Sequence, residues 1–256
     1  MSSRVKVVAF DVWRDRDRAE FAVALKALEA AGVDIIDLYI SPVDFGSLDD
    51  WLDALVKLLS NSMNVATEPI RLLGFCAGGR LALEIAQRLA TSGTPAVFVG
   101  LIDTWVRPPN IDIGRNLYGR YSIGPSVWLP QWVLWAHTTS SGTWRAIARS
   151  LFSAAQRKLN GRTAPQHRQH RNEEDWKLMH FTHDRAIALV QCPVHLFNTV
   201  DSIAEHVDDP SLGLAPYLRG GFTVHELAGK HHTFTKLEYI DSFVCTVLET
   251  IGVSKT

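Results

Sequence analysis

Cysteine is scarce in this chain of 256 residues. Cys76, Cys192 and Cys245 are odd in number and widely spaced, which excludes a disulfide framework and a clustered zinc site. A reduced, cytoplasmic setting follows as the expectation. No apolar run approaches the roughly 18 residues of a membrane-spanning helix. The N-terminal "MSSRVKVVAF" has a charge inside its apolar run and no small-residue cleavage site, so it does not read as a signal peptide. The chain also lacks a dominant charge: 26 Lys and Arg face 27 Asp and Glu, for a net −1, which gives no argument for nucleic acid or a membrane surface as partner. Internal repeats and low-complexity segments are missing as well. What remains, 46% apolar and 21% charged, is the composition of a globular protein with ample material for a core.

The pattern along the chain is an alternation. Short apolar strands are expected at 5–10, 33–40, 70–75, 95–103, 192–201 and 222–229. Helical spacing lies between them at 18–32, 47–59 and 78–93, with a closing helix at 236–252. Strands that are nearly all apolar and alternate with helices predict a mostly parallel sheet covered on both faces. The rhythm breaks from about 106 to 185, which reads as a helical insertion in a single domain spanning 1–256. That stretch holds Trp128, Trp132, Trp135 and Trp144, and a polar loop at 160–172. From Arg107 to Arg171 it carries ten Lys or Arg against one acid, Asp112. The near-zero net charge therefore hides a basic insertion, read either as a solvated face or as a docking surface for an acidic partner. The tryptophans are expected to build part of the insertion's own core and to line an apolar tunnel. The start at Met1 and the short C-terminal tail suit a free-standing protein.

The chemistry concentrates in "IRLLGFCAGGR", residues 70–80. A Gly-x-Cys-x-Gly-Gly turn between a strand and a helix holds its central residue in a tight backbone and projects the side chain clear of the sheet. The alternative for Cys76 is a small buried residue in a glycine-rich turn. As a nucleophile, Cys76 would gain from the helix N-terminus behind it, with the Ala77 N–H as one oxyanion donor. A base and an orienting acid must accompany it. The loop "LAGKHHTF" between the last strand and last helix offers His231 and its neighbour His232. Asp103 and Asp201 each close a predicted strand, where an open α/β sheet builds its site. Either aspartate also suits a cap or turn.

Residues 68–105 resemble the core of the thioesterase domains of polyketide and nonribosomal peptide synthases, members of the α/β-hydrolase superfamily. The helix after the turn carries Ala82, Glu84 and Ala86 in the family's Ala-x-Glu-x-Ala register, and Asp103 ends the next strand 27 residues after Cys76. The segment 208–234 resembles the family's Gly-x-His loop, aligning Gly229 and His231. The resemblance implies an α/β-hydrolase fold with a helical lid, and a triad of Cys76, His231 and Asp103, with Asp201 as reserve acid. Cysteine replaces the usual serine, as in family members that form strained lactones or transfer the acyl group. The resemblance further implies a thioester on the phosphopantetheine arm of an acyl or peptidyl carrier protein as substrate, with that carrier docking on the basic lid. No metal or organic cofactor is implied. The family's Pro- and Gly-containing first loop is replaced by "DVWRDRDRAEF" (11–21), so the second oxyanion donor falls to a backbone N–H near Val12 or Trp13. Two other readings stand beside this one. One is a small-molecule hydrolase of the dienelactone type using Cys76, Asp201 and His231. The other is a non-catalytic relative that binds acyl carriers.

Overall fold

The computed structural model describes residues 4–12, 20–105, 187–205, 209–231 and 233–253. The expected insertion at about 106–185, Trp13 and His232 lie outside them. The described elements are β1 (Lys6–Phe10), α1 (Glu20–Ala30), β2 (Asp34–Asp37), α2 (Leu48–Ser62), β3 (Arg71–Phe75), α3 (Ala77–Thr91), β4 (Phe98–Ile102), β5 (Val194–Thr199), α4 (Val200–Glu205), β6 (Phe222–Leu227) and α5 (Leu237–Thr250).

The strands form one sheet in the order β2-β1-β3-β4-β5-β6, and every pairing is parallel. A parallel sheet must be covered on both faces, because its crossover helices lie there and its strands are apolar on both sides. Two clusters do this. Leu52, Leu55 and Leu59 of α2 and Leu81 and Ile85 of α3 pack with Val8, Leu72 and Val99 on one face. Phe21 and Leu25 of α1 and Phe243 and Val247 of α5 pack with Val7, Leu73 and Phe197 on the other.

Local chemistry fixes the helix bounds. Ser47 caps α2: its Oγ accepts from the Asp50 N–H at 3.1 Å and donates to Asp50 Oδ2 at 2.7 Å. Trp51, Leu52, Leu55 and Leu59 then form its buried stripe. Arg88 of α3 binds both Asp49 and Asp53, tying α3 to α2. The expected strand at 192–201 is shorter. It stops at Thr199, and Asp201 lies in the first turn of α4. Its apolar run misleads there: Val200 continues the pattern yet is 55% exposed.

The strand order reverses direction between β1 and β3: the chain passes outward from β1 to β2, then returns to build β3 to β6 on the other side. Beyond the carboxyl ends of these two strands lies the crevice where open α/β sheets place their sites. Val12 follows β1 there and Cys76 follows β3.

Candidate active site

Cys76 sits between β3 and α3 at φ 54° and ψ −117°. A non-glycine residue there costs on the order of 1–3 kcal/mol and persists only where its surroundings hold it. They do. The Cys76 N–H donates to the Ile102 carbonyl at 2.9 Å, and its own carbonyl accepts from the Gly79 N–H at 3.1 Å and the Thr104 hydroxyl at 3.2 Å. The three glycines of the turn each answer a close approach. A methyl at Gly74 would collide with the Gly78 carbonyl, one at Gly78 with the Phe10 carbonyl, and one at Gly79 with the Thr104 hydroxyl. The start of α3 is thus pressed against the ends of β1 and β4. The same contact brings Ala77 near the chain that leaves β1 through Asp11 and Val12. Ala77 and Val12 are both buried. Ala77 is the first residue of α3, where backbone N–H groups have no acceptor within the helix.

His231 lies in the loop between β6 and α5. Gly229 opens that loop at φ 91° and packs against the Tyr239 ring. The Lys230 carbonyl accepts from the N–H groups of Thr233 and Phe234 at 2.7 and 3.0 Å, closing the turn around His231. The imidazole stacks on Phe75 at 4.7 Å and meets the edge of Trp105 at 5.3 Å. Its Nδ1 donates to Asp103 Oδ2 at 3.2 Å, and the Cys76 side chain lies close enough to raise the ring's pKa. Burial works against a charge on this ring. The hydrogen bond to Asp103, with the nearby Cys76 side chain and the Asp103 charge, outweighs it and pushes the His231 pKa up to about 10.

Asp103 is fully buried at φ 42°, immediately beyond β4. Oδ1 accepts from the Thr199 N–H at 2.7 Å, and Oδ2 accepts from the Thr199 hydroxyl at 2.9 Å and from His231. Asp201 is placed differently. It pairs with Lys230 at 2.7 Å, half exposed. The structure therefore brings Cys76, His231 and Asp103 together and leaves Asp201 in a surface ion pair. Phe75, Trp105 and Thr199 complete the arrangement, and sequence reasoning missed all three. Thr199 carried only a faint signal, a hydroxyl residue closing an apolar strand. His195 and His225, placed by the sequence within strands, face each other on β5 and β6 with Nδ1 and Nε2 3.1 Å apart. Among the described residues no group of three or more His, Cys, Asp or Glu is arranged to hold a metal ion, and no helix is long and apolar enough to cross a membrane.

A parallel sheet of this order, a strained turn after β3 that carries a cysteine, and a histidine loop after the last strand define the α/β-hydrolase fold. The model of the dienelactone hydrolase family matches residues 28–115. No curated protein sequence matches the chain. Its structure is similar to that of the NocB thioesterase domain in covalent complex with a fluorophosphonate nocardicin G analogue, with 15% identity over 98% of this chain and 96% of that one and a TM-score of 0.58. It is also similar to BorB, a type II thioesterase from the borrelidin biosynthetic cluster, with 15% identity, 100% and 94% coverage and a TM-score of 0.59. A third likeness is to the RedJ thioesterase of the prodiginine pathway in Streptomyces coelicolor, with 16% identity, 95% and 88% coverage and a TM-score of 0.57. At these identities the likeness is one of fold.

Proposed function

We propose that this protein is a thioesterase or acyltransferase that takes an acyl, polyketide or peptidyl chain from the phosphopantetheine thioester of a carrier protein onto Cys76. The observation that carries the reading is the placement of one imidazole between a buried carboxylate and a cysteine at the strained turn. The structural likeness to synthase thioesterases supports the choice of substrate.

The imidazolium of His231 stands beside the Cys76 sulfur, and a positive charge there stabilises the attacking thiolate. Attack on the thioester carbonyl forms a tetrahedral oxyanion. The Ala77 N–H, joined by a backbone N–H at Val12, would hold it. Collapse expels the pantetheine sulfur, which takes the proton of His231. The neutral imidazole then removes a proton from the acceptor as it attacks the acyl-enzyme. Collapse of the second intermediate releases the Cys76 thiolate and leaves His231 charged, so the resting pair is restored. Asp103 holds the ring orientation and its charge throughout.

Sulfur shapes the outcome. A serine acyl-enzyme is an oxygen ester and lies downhill from a carrier thioester. A cysteine acyl-enzyme remains a thioester, nearly balanced with its donor and open to amines and activated hydroxyls. Transfer or cyclisation therefore ranks beside hydrolysis. The basic insertion is the surface assigned to an acidic carrier, by charge complementarity. No cofactor enters the scheme.

The match to the dienelactone hydrolase model favours one further reading, a small-molecule hydrolase working through the same Cys76 and His231. Its acid would be Asp201, which here binds Lys230. The test is to offer acyl-pantetheine thioesters and enol lactones in parallel. The thioesterase reading expects a stable mass increase on Cys76 from the thioester alone. Lactone turnover without acylation by any acyl-pantetheine would replace it with the second reading.

A further inference from the structure

The reserve acid was expected at the end of β5, and the residue there is Thr199. It is buried, and it reaches Asp103 with both its donors, the N–H to Oδ1 at 2.7 Å and the hydroxyl to Oδ2 at 2.9 Å. The direction of the protons can be worked out. Thr199 Oγ1 also lies 2.9 Å from Ser202 Oγ. A hydroxyl has one proton to give, and an ionised carboxylate only accepts. The Thr199 proton therefore goes to Asp103, and the Ser202 proton goes to Thr199. The Ser202 N–H donates to the same oxygen at 3.4 Å. The Thr199 hydroxyl is thus saturated, two bonds in and one bond out, and has no rotamer freedom left.

Asp103 needs such a clamp. It leaves β4 in the left-handed region, which aspartate tolerates better than most residues but does not prefer. Its carboxylate is fully buried, so its charge must be met by donors. Three are present. Two come from Thr199, and the third is the histidine it is meant to orient. Removal of the Thr199 hydroxyl leaves Oδ2 to His231 alone and frees the carboxylate to turn about the remaining N–H bond.

We propose that Thr199 is the positioning residue of this site: its two donors lock the Asp103 carboxylate toward His231, so that an acid after β4 does the work of one after β5. The proposal rests on the catalytic reading given above, but its test does not. Among the described residues, the titratable groups that act on His231 include Asp103 from the end of β4 and Cys76 from the end of β3.

The test is an NMR titration of the His231 ring in the full chain, its signals assigned by their loss in His231→Gln. The native midpoint is expected near 10. Thr199→Val keeps the shape and the N–H but removes the hydroxyl, and is expected to lower that midpoint by about one unit or more. Thr199→Ser restores the donor and is expected to keep the native midpoint. Thr199→Ala removes the same donor without a branched side chain and carries the test where the valine variant does not fold. In acyl transfer from an S-acyl-pantetheine, Thr199→Val is expected to lose about ten- to hundredfold in kcat with KM little changed. A merely structural role would lower thermal stability and leave the midpoint where it was. An unchanged or raised midpoint in a folded valine or alanine variant overturns the proposal. Absence of acylation in the native protein would instead remove the thioesterase reading, while the titration still decides the role of Thr199.

Discussion

At Cys76 the sulfur and the backbone conformation act together. The turn holds the side chain partly exposed above the sheet, beside the His231 ring whose pKa is raised. Cys76→Ser is expected to slow acyl loading and shift products toward hydrolysis, read by chromatography of products from one acyl-pantetheine with an added amine. An unchanged product ratio would mean that sulfur has no special part. The two aspartates separate cleanly at this scale. Asp103→Asn keeps the shape but favours the wrong imidazole tautomer and is expected to cost about 10⁴ in acylation rate. Asp201→Asn breaks only a half-exposed pair with Lys230 and is expected to stay within about twofold of the native rate. The pH dependence follows from His231. Its folded pKa is raised, so the imidazolium proposed to protonate the leaving thiolate persists through neutral pH and is lost as pH rises through about 10. Acyl loading should therefore decline above that pH, in a stopped-flow profile at constant ionic strength.

Among the elements, the turn between β3 and α3 is the most constrained. Gly78→Ala would drive a methyl into the Phe10 carbonyl and is expected to cost about 1–3 kcal/mol, measured by urea unfolding. A second consequence belongs to β5 and β6. Burial lowers the pKa of both His195 and His225, and a charge on one further opposes a charge on the other. Above the ordinary histidine pKa of about 6.5 both are neutral, folded or unfolded. Below it the unfolded chain takes up protons that the folded pair refuses, so stability falls as the pH drops. His225→Phe should flatten that slope in unfolding measured from pH 7 to 5. The strands and helices were largely legible because each strand is apolar on both faces and each helix has one buried stripe. Thr199 was not. Its role depends on a neighbour 96 residues away, and no local pattern announces it. The end of β5 misled for the converse reason: apolar Val200 prolongs the strand pattern past Thr199, where the strand stops.

For the whole molecule, sheet order explains why the site lies where it does. β1 and β3 flank the reversal of strand order, and their carboxyl ends bring Val12 and Ala77 to the same crevice. β4 and β5 together hold Asp103, and the loop after β6 brings His231 across the sheet. The sequence resemblance could point to Cys76, Asp103 and His231, which the structure places near one another, because each follows a strand in a recognisable motif. It could not reveal Phe75 and Trp105 as the walls around the imidazole, since those contacts exist only once the strand ends are assembled. On the proposed docking of a carrier to the basic insertion, KM for a carrier-bound thioester should rise with salt while KM for the free acyl-pantetheine stays level. The central claim is that Cys76 receives an acyl group from a pantetheine thioester. Intact-mass spectrometry of the protein after exposure to a series of acyl-pantetheines tests it most directly. The account predicts a single added acyl group, absent in Cys76→Ala and strongly reduced in His231→Gln. A folded protein that gains no acyl mass from any of them, or gains it equally without Cys76, would contradict it.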